Sequence, residues 1–271
     1  ANGGPINPEN KGYPESSVDY LRVYWNFFEP QRGQYRWDLI DGALARARSQ
    51  NQRLMFRIMP YGDGPTNDVP AWYREMMGPE PERAKTKVRT DPEDPRYLEY
   101  FGGLVRQIGL RYDGHPDLDS VDISIIGAWG EGAGSADLTQ PTREALVDCY
   151  LETFRKTPLM MLLTDEKTNR YGISRAAVGW RVDCLGDMGG FSPTWSHMLD
   201  YYPQGIINFG MRDAWQRAPV SFEACWVMNR WRQNGWDVDY IIDQSLKWHI
   251  STFNGKSSPV PEEWQPAVNR W

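Results

Sequence analysis

The chain contains no run of 18 apolar residues, so no membrane-spanning helix is expected. It is poor in the residues that build metal and thiol chemistry. The three histidines, His115, His197 and His249, are far apart in sequence and show no HxH or HExxH spacing, which removes the common zinc arrangements. The three cysteines, Cys149, Cys184 and Cys225, include no CxxC pair. That excludes a Cys-based zinc site, and the odd count argues against a disulfide framework. The thiols are read as small buried apolar residues, although Cys184 and Cys225 lie on strands expected to be neighbours, within reach of each other. No GxSxG elbow is present, which sets aside serine-hydrolase chemistry. Asp91-Pro-Glu-Asp94 reads as a helix start rather than a calcium loop. No metal and no cofactor are therefore expected. Positive charge is also in deficit: 30 Lys and Arg stand against 36 Asp and Glu, a net charge of -6. The basic residues are scattered among acids, so the concentrated basic surface that nucleic acid requires is missing.

Aromatic residues are abundant, with 13 tryptophans and 14 tyrosines. Tryptophan is a demanding core residue, because its N–H must find a partner. Trp72, Trp129, Trp195, Trp226 and Trp231 fall in expected loops. Aromatic faces stack on the C–H faces of sugar rings, so the excess points to a carbohydrate cleft, with packing the plain reading of any single ring.

The 271 residues are enough for one large α/β barrel or two small domains. Residues 1–17 are rich in Gly, Pro, Asn and Ser and read as an extended N-terminal arm. No signal peptide is visible in the chain, which says little about location because the chain reads as a mature or trimmed form. From residue 18, strand, loop and helix alternate, the pattern of parallel βα units. Strands are expected at Val18–Trp25, Arg53–Pro60, Val121–Ile126, Pro158–Leu163, Arg181–Leu185, Val220–Cys225 and Trp248–Phe253. Between them the spacing predicts a helix capped by Asp38, with Leu39, Ile40, Ala43, Leu44 and Ala47 on one face. Further helices are expected at Pro95–Tyr112, Pro141–Phe154, Arg170–Val178, around 195–214 and at Asp239–Lys247. Residues 61–92 read as a long loop and the tail as Pro-rich coil. No interior linker interrupts 18–271, which is taken as one domain of α/β class: a TIM (β/α)8-type barrel with seven strands counted, its first strand lacking or replaced.

Two strand ends carry the chemistry. Val121-Asp-Ile-Ser-Ile-Ile-Gly-Ala-Trp-Gly-Glu131 runs from apolar residues to a carboxylate beside Trp129. Ala218-Pro-Val-Ser-Phe-Glu223-Ala-Cys-Trp226 does the same with Glu223 and Trp226. The C-terminal ends of barrel strands build the sites of this architecture. Two glutamates there, one protonated and one ionised, are what cleavage of a glycosidic bond needs. The acid of such a pair needs a pKa raised by burial and a second anion, and the nucleophile must be kept ionised by a nearby cation. For either glutamate alone a structural salt bridge is the competing reading. Arg57, inside its strand, needs an acidic partner. Asp165 and Asp187 follow strands and are candidates to bond sugar hydroxyls or hold Arg57, with loop capping as the alternative. His249, Asn254 and Lys256 flank the last strand, His249 as a candidate sugar ligand. Trp226 or Trp248 would floor the subsite.

The segment Tyr20-Leu-Arg-Val-Tyr-Trp-Asn-Phe-Phe-Glu-Pro-Gln-Arg-Gly-Gln-Tyr-Arg-Trp-Asp-Leu-Ile-Asp41 resembles the second βα unit of retaining (β/α)8 glycosidases of the β-galactosidase and endoglycanase type. In those families a strand bearing Arg is followed by Trp, Glu-Pro, Gly, Tyr and Asp at similar spacing. The resemblance implies that Val18–Trp25 is strand two, Val121–Ile126 strand four and Val220–Cys225 strand seven. It also implies that Arg22 supports the nucleophile. The families carry the acid/base after strand four and the nucleophile on strand seven, the positions of Glu131 and Glu223. The whole chain also looks like a poorly characterised bacterial barrel group with a Gly-Glu end to strand four, which implies a secreted or periplasmic bacterial protein. One departure stands out: Gly130 occupies the place where most of these enzymes have an Asn that holds the sugar 2-hydroxyl.

The expected function is glycoside hydrolysis of β-linked oligo- or polysaccharides by the retaining two-carboxylate route. The alternatives are a non-catalytic carbohydrate-binding barrel, favoured by Gly130 and the missing strand, and a different barrel enzyme such as a polysaccharide lyase or a metal-dependent sugar isomerase. The expected partner is carbohydrate, not nucleic acid or membrane. The oligomeric state is not readable from the sequence.

Overall fold

The computed structural model describes residues 16–62, 68–78, 90–256 and 259–270. Most of the expected N-terminal arm lies outside them. Seven strands follow one another: β1 (Val18–Tyr24), β2 (Arg53–Met59), β3 (Leu118–Ile123), β4 (Leu159–Leu162), β5 (Val178–Leu185), β6 (Ser221–Ala224) and β7 (Thr252–Asn254). All are parallel and pair in chain order. In a flat sheet β1 and β6 would stand about 24 Å apart, at roughly 4.8 Å per step. Yet Arg22 on β1 reaches Glu223 on β6 at 3.2 Å. The sheet therefore curls on itself into a nearly closed TIM-type barrel with helices between its strands. Among the described residues no ladder joins β7 back to β1.

Side-chain alternation explains what the barrel encloses. In a strand, successive side chains point to opposite faces. Leu21 and Val23, Leu54, Phe56 and Ile58, Val121 and Ile123, Trp180 and Val182, and Phe222 and Ala224 all join the apolar clusters between sheet and helices. The intervening residues face inward and are largely polar: Tyr20 and Arg22, Arg57, Ser120 and Asp122, Arg181 and Asp183, Ser221 and Glu223. The hydrophobic core is thus a shell outside the strands, and the lumen is a buried ionic network.

Helix Trp37–Ser49 buries Ile40, Ala43, Leu44 and Ala47 as the spacing required, but Arg36 rather than Asp38 occupies its cap. Asp38 instead pairs with Arg36 in the first turn. The helical stretch from Pro95 to Tyr112 is capped by the Asp94 side chain and passes through a π turn at Leu98–Gly102. The segment expected as an uninterrupted loop contains a helix, Ala71–Met77. Helix Met228–Gln233 was also not anticipated. At the other end, helix Val238–Lys247 is followed by a turn in which His249 adopts a φ of 55°, so β7 starts at Thr252 and not at Trp248. The tail expected as coil folds into Glu262–Trp264 and Gln265–Val268, burying Ala267 and Val268.

The conspicuous Trp-…-Glu-Pro-…-Gly segment after β1 has a structural job. The Glu29 carboxylate is 3% exposed. It accepts the Trp25 indole N–H at 2.7 Å and the Gly33 backbone N–H at 2.8 Å. Gly33 has a φ of 74°, a conformation that favours glycine. Removing the carboxylate orphans two donors, one on a fully buried ring, at about 1–3 kcal/mol each. Glu29→Ala is therefore expected to lower the unfolding free energy in urea by about 2–4 kcal/mol; a loss below about 0.5 kcal/mol, the range of an ordinary surface change, would contradict this role.

Candidate active site

Glu223, on β6, faces the lumen and is 3% exposed. Its Oε1 accepts from Arg22 Nη1 at 3.2 Å and from Lys256 Nζ at 2.6 Å. Its Oε2 accepts from Arg181 Nη1 at 3.1 Å. Burial alone would raise its pKa, but Arg22, Arg57 and Lys256 outweigh it and hold the carboxyl below the usual range. Arg22 and Glu223, paired in the sequence reading through the resemblance alone, are in contact across the barrel.

Beneath Glu223 lies a chain of buried charges. Arg57, 1% exposed, donates through Nε to Asp122 Oδ2 at 3.0 Å. Arg181 Nε reaches the same oxygen at 3.1 Å, and the Tyr20 hydroxyl donates to it at 2.5 Å. Burial pushes the Tyr20 phenol well above its ordinary pKa despite Arg57, so it remains a proton donor. Asp122, and neither Asp165 nor Asp187, is the acid that holds Arg57. Asp122, Arg181 and Asp183 were not singled out from the sequence. The available signal was their phase, since each shares the inward parity of its strand with a residue of the network.

Glu131 stands on a glycine-rich turn after β3. Gly127 (φ 94°), Gly130 (φ 73°) and Gly132 (φ 73°) carry it, with Glu131 N–H donating to the Ala128 carbonyl. A Cβ on Gly130 would lie 2.1 Å from Ser124 Oγ and 3.0 Å from Arg57 Cδ. The Asn found there in the resembled enzymes has no room against this Ser124–Arg57 floor. Arg57 Nη1 binds the Trp129 carbonyl at 2.9 Å and comes within 4.0 Å of Glu131 Oε1. Burial first, then the negative charges of Asp183 and Glu223, raise the Glu131 pKa to about 7 against the pull of Arg57. Asp183, which shares Arg181 with Glu223, is itself raised to about 6, by burial and by Glu223.

Glu131 and Asp183 line a cavity of about 640 Å³ whose other walls include Trp129, Phe191, His197 and Tyr201. Trp226 stacks on Phe191 with ring centroids 4.8 Å apart, and Trp195 packs against His197. Trp129, Trp195 and Trp226 thus gather on this face, whereas Trp231 is fully buried and Trp72 packs against the core. Asp187, 0% exposed, accepts from the N–H groups of Gly189, Gly190 and His197 and bonds His197 Nδ1 at 2.6 Å. These bonds lower its pKa in spite of burial. His197, which lines the cavity and is held by this bond, was not singled out as a site residue from the sequence. Cys184 and Cys225, expected as free thiols, form a disulfide joining the ends of β5 and β6. The register brings Leu185 beside Ala224, so the two thiols are delivered to each other. Cys149 is free and buried. Trp129, Cys184, Trp226 and Lys256 all have φ between 57° and 67°, a cost of the order of 1–3 kcal/mol each that clusters around this face.

Three expected site residues have other roles. Asp165 caps helix Glu166–Arg175 through the Thr168 N–H and accepts from Ser135. Trp248 is buried in the outer shell, and His249 stacks on Trp215 at 3.8 Å. Both precede β7 and so belong to the opposite end of the barrel. No group of three metal-ligating side chains occurs among the described residues, and no described helix is long and apolar enough to cross a membrane.

No family model matches the chain, and no curated protein matches its sequence. Solved structures do match. An endo-glycoceramidase II from a Rhodococcus species, solved as a lactosyl-enzyme intermediate, has a TM-score of 0.55 at 12% identity, over 89% of this chain and 65% of that one. A beta-glucanase from Saccharophagus degradans has a TM-score of 0.54 at 14% identity, over 92% of this chain and 71% of that one. Its complex with cellotetraose aligns with a TM-score of 0.52. This chain therefore has the barrel fold of these glycosidases and spans just under two thirds of the length of the endo-glycoceramidase.

The electrostatics give a direct check. With its folded pKa near 7, Glu131 binds its proton more tightly when folded, so its contribution to stability is present below about pH 4.5 and is lost as pH rises towards 7. Glu223, with a depressed pKa, contributes in the opposite sense, above about pH 4.5, and loses that contribution as pH falls. Carboxyl-carbon NMR is expected to show Glu131 titrating near 7 in the native protein, and lower in Asp183→Asn. An ordinary carboxylate midpoint, or no change in the variant, would contradict the assigned environment.

Proposed function

We propose that the protein is a glycoside hydrolase that cleaves β-linked oligo- or polysaccharides with retention of configuration. The observation that carries the reading is the opposed state of the two strand-end glutamates. Three cations hold Glu223 ionised, while burial and neighbouring anions keep Glu131 protonated to about pH 7. That is the division of labour a two-carboxylate mechanism needs.

In the first step a Glu223 oxygen attacks the anomeric carbon. The bond from that carbon to the leaving oxygen breaks, its electron pair stays on the oxygen, and Glu131 supplies the proton. In the second step Glu131 takes a proton from water, the water oxygen bonds the anomeric carbon, and the glycosyl ester releases Glu223 as carboxylate. Arg22 and Arg181 favour the charged nucleophile on departure. Trp129, Trp226 and Phe191 offer the faces on which sugar rings would stack. His197, with Nδ1 held by Asp187, presents its other ring nitrogen to a hydroxyl. The fold shared with the endo-glycoceramidase and the beta-glucanase supports the reading, and the Cys184–Cys225 disulfide fits a secreted or periplasmic location.

One observation favours a second reading, a sugar-binding barrel without turnover: Gly130 leaves no amide beside the acid to hold a hydroxyl. Mutants separate the two. On aryl β-glycosides, Glu131→Gln and Glu223→Gln are each expected to lower turnover by about 10²–10⁴-fold or more, with circular dichroism unchanged. Azide is expected to rescue Glu223→Ala with an inverted glycosyl azide and Glu131→Ala with a retained one. Wild-type protein that turns over no glycoside, or equal residual activity and identical azide products in both variants, would overturn the assignment.

A further inference from the structure

Glu223 is more heavily paired than a nucleophile requires. Both its oxygens are occupied, and Oε1 carries two cations, Arg22 and Lys256. The three cations differ in what else they hold. Arg181 also binds Asp122 and Asp183, and it is almost completely buried. Arg22 and Lys256 form ion pairs with no carboxylate other than Glu223 among the described residues, although the charge of Asp183 also acts on both. They are also the accessible members, with side chains 17% and 36% exposed against 2% for Arg181.

The proposed reaction changes this balance. When Glu223 becomes a glycosyl ester it loses its charge. Glu131 gives up its proton in the same step and becomes an anion, so the net charge of the site is unchanged, but Arg22 and Lys256 lose the one carboxylate they contact. Cations at the mouth of a partly desolvated barrel with no carboxylate in contact are unfavourable. Lys256 must also leave Oε1, or share it, before that oxygen can attack. An anion brought by the substrate would remedy both. The group that Arg22 and Lys256 hold at rest is a carboxylate, so a carboxylate is the anion they are arranged to take.

Resting on the hydrolase reading, we propose that Lys256, with Arg22, forms a subsite for the carboxylate of a uronic acid at the cleavage point. The substrate carboxylate draws Lys256 off Glu223, frees the attacking oxygen and gives the pair a contacting anion after the ester forms. Lys256 is then a specificity-determining residue, and the enzyme acts on acidic β-linked glycans in preference to neutral ones.

A matched pair of ligands tests this. Nitrophenyl β-D-glucuronide and nitrophenyl β-D-glucoside differ only in the carboxylate. In a Glu131→Gln background, calorimetry is expected to show the glucuronide binding about tenfold or more tightly than the glucoside, as one charge-assisted contact would give. Adding Lys256→Gln is expected to erase that preference, and Lys256→Arg is expected to retain it. Thermal melts identify any variant that has not folded, in which case Lys256→Arg alone decides, by keeping or losing the preference. Equal binding of the two ligands, no binding of either, or a preference that survives Lys256→Gln would overturn the proposal. A glucuronide preference in binding without turnover by the wild-type protein would defeat the hydrolase reading and leave the uronate subsite standing.

Discussion

The architecture of the site depends on one chain of buried contacts, Arg57–Asp122–Arg181–Glu223. Four charges withdrawn from water at the centre of a small barrel are a poor source of stability, because desolvation offsets most of their attraction. Their value lies in what they fix. Asp122 gathers Tyr20, Arg57 and Arg181 onto one oxygen, which sets the guanidinium planes. Arg181 then presents its remaining N–H groups upward to Asp183 and Glu223, and Arg57 reaches the Trp129 carbonyl and approaches Glu131. Both strand-end glutamates are thereby referred to one rigid base. Gly130 follows from the same constraint, since the floor formed by Ser124 and Arg57 leaves no space for a side chain.

The electrostatic consequence is a division between two chemically identical groups. Glu223 sits where cations converge, and Glu131 sits where burial and Asp183 dominate. Asp183 couples them, because it competes with Glu223 for Arg181 and repels charge on Glu131. A glycosidase needs two carboxyls held on either side of neutrality in their protonation, and three strand ends together arrange it. The strained backbone at Trp129, Cys184 and Trp226, all at strand ends bordering the cavity, is consistent with positions retained for geometry rather than for folding.

Much of this was legible in the sequence, for a physical reason. The seven strands stood out by composition and spacing, their C-terminal ends pointed to Glu131 and Glu223, and the resemblance supplied Arg22. Asp122, Arg181 and Asp183 share the inward parity of their strands, but polar residues inside apolar strands resemble mistakes in a strand until their partners on other strands are known. Contacts between β1 and β6, or β2 and β3, are fixed by barrel closure and register, which no local window contains. The same limit applies to Cys184 and Cys225: the sequence puts them on neighbouring strands, but the register between β5 and β6 decides that the thiols meet. Trp248 and His249 were misplaced for a different reason. An apolar Trp-His-Ile run suits a strand, yet it closes a helix and turns the chain, so both side chains lie at the wrong end of the barrel. Tryptophan abundance was only a partial guide, because Trp25, Trp180 and Trp231 satisfy their N–H groups inside the shell.

The central claim is that Glu223 becomes covalently bound to the sugar. Incubation with an activated 2-deoxy-2-fluoro-β-glycoside, followed by proteolysis and mass spectrometry, tests it most directly. A single adduct on the peptide carrying Glu223, lost on Glu223→Gln, is the expected result. An adduct on another residue, or hydrolysis of the reagent with Glu223 left unmodified, would contradict the account.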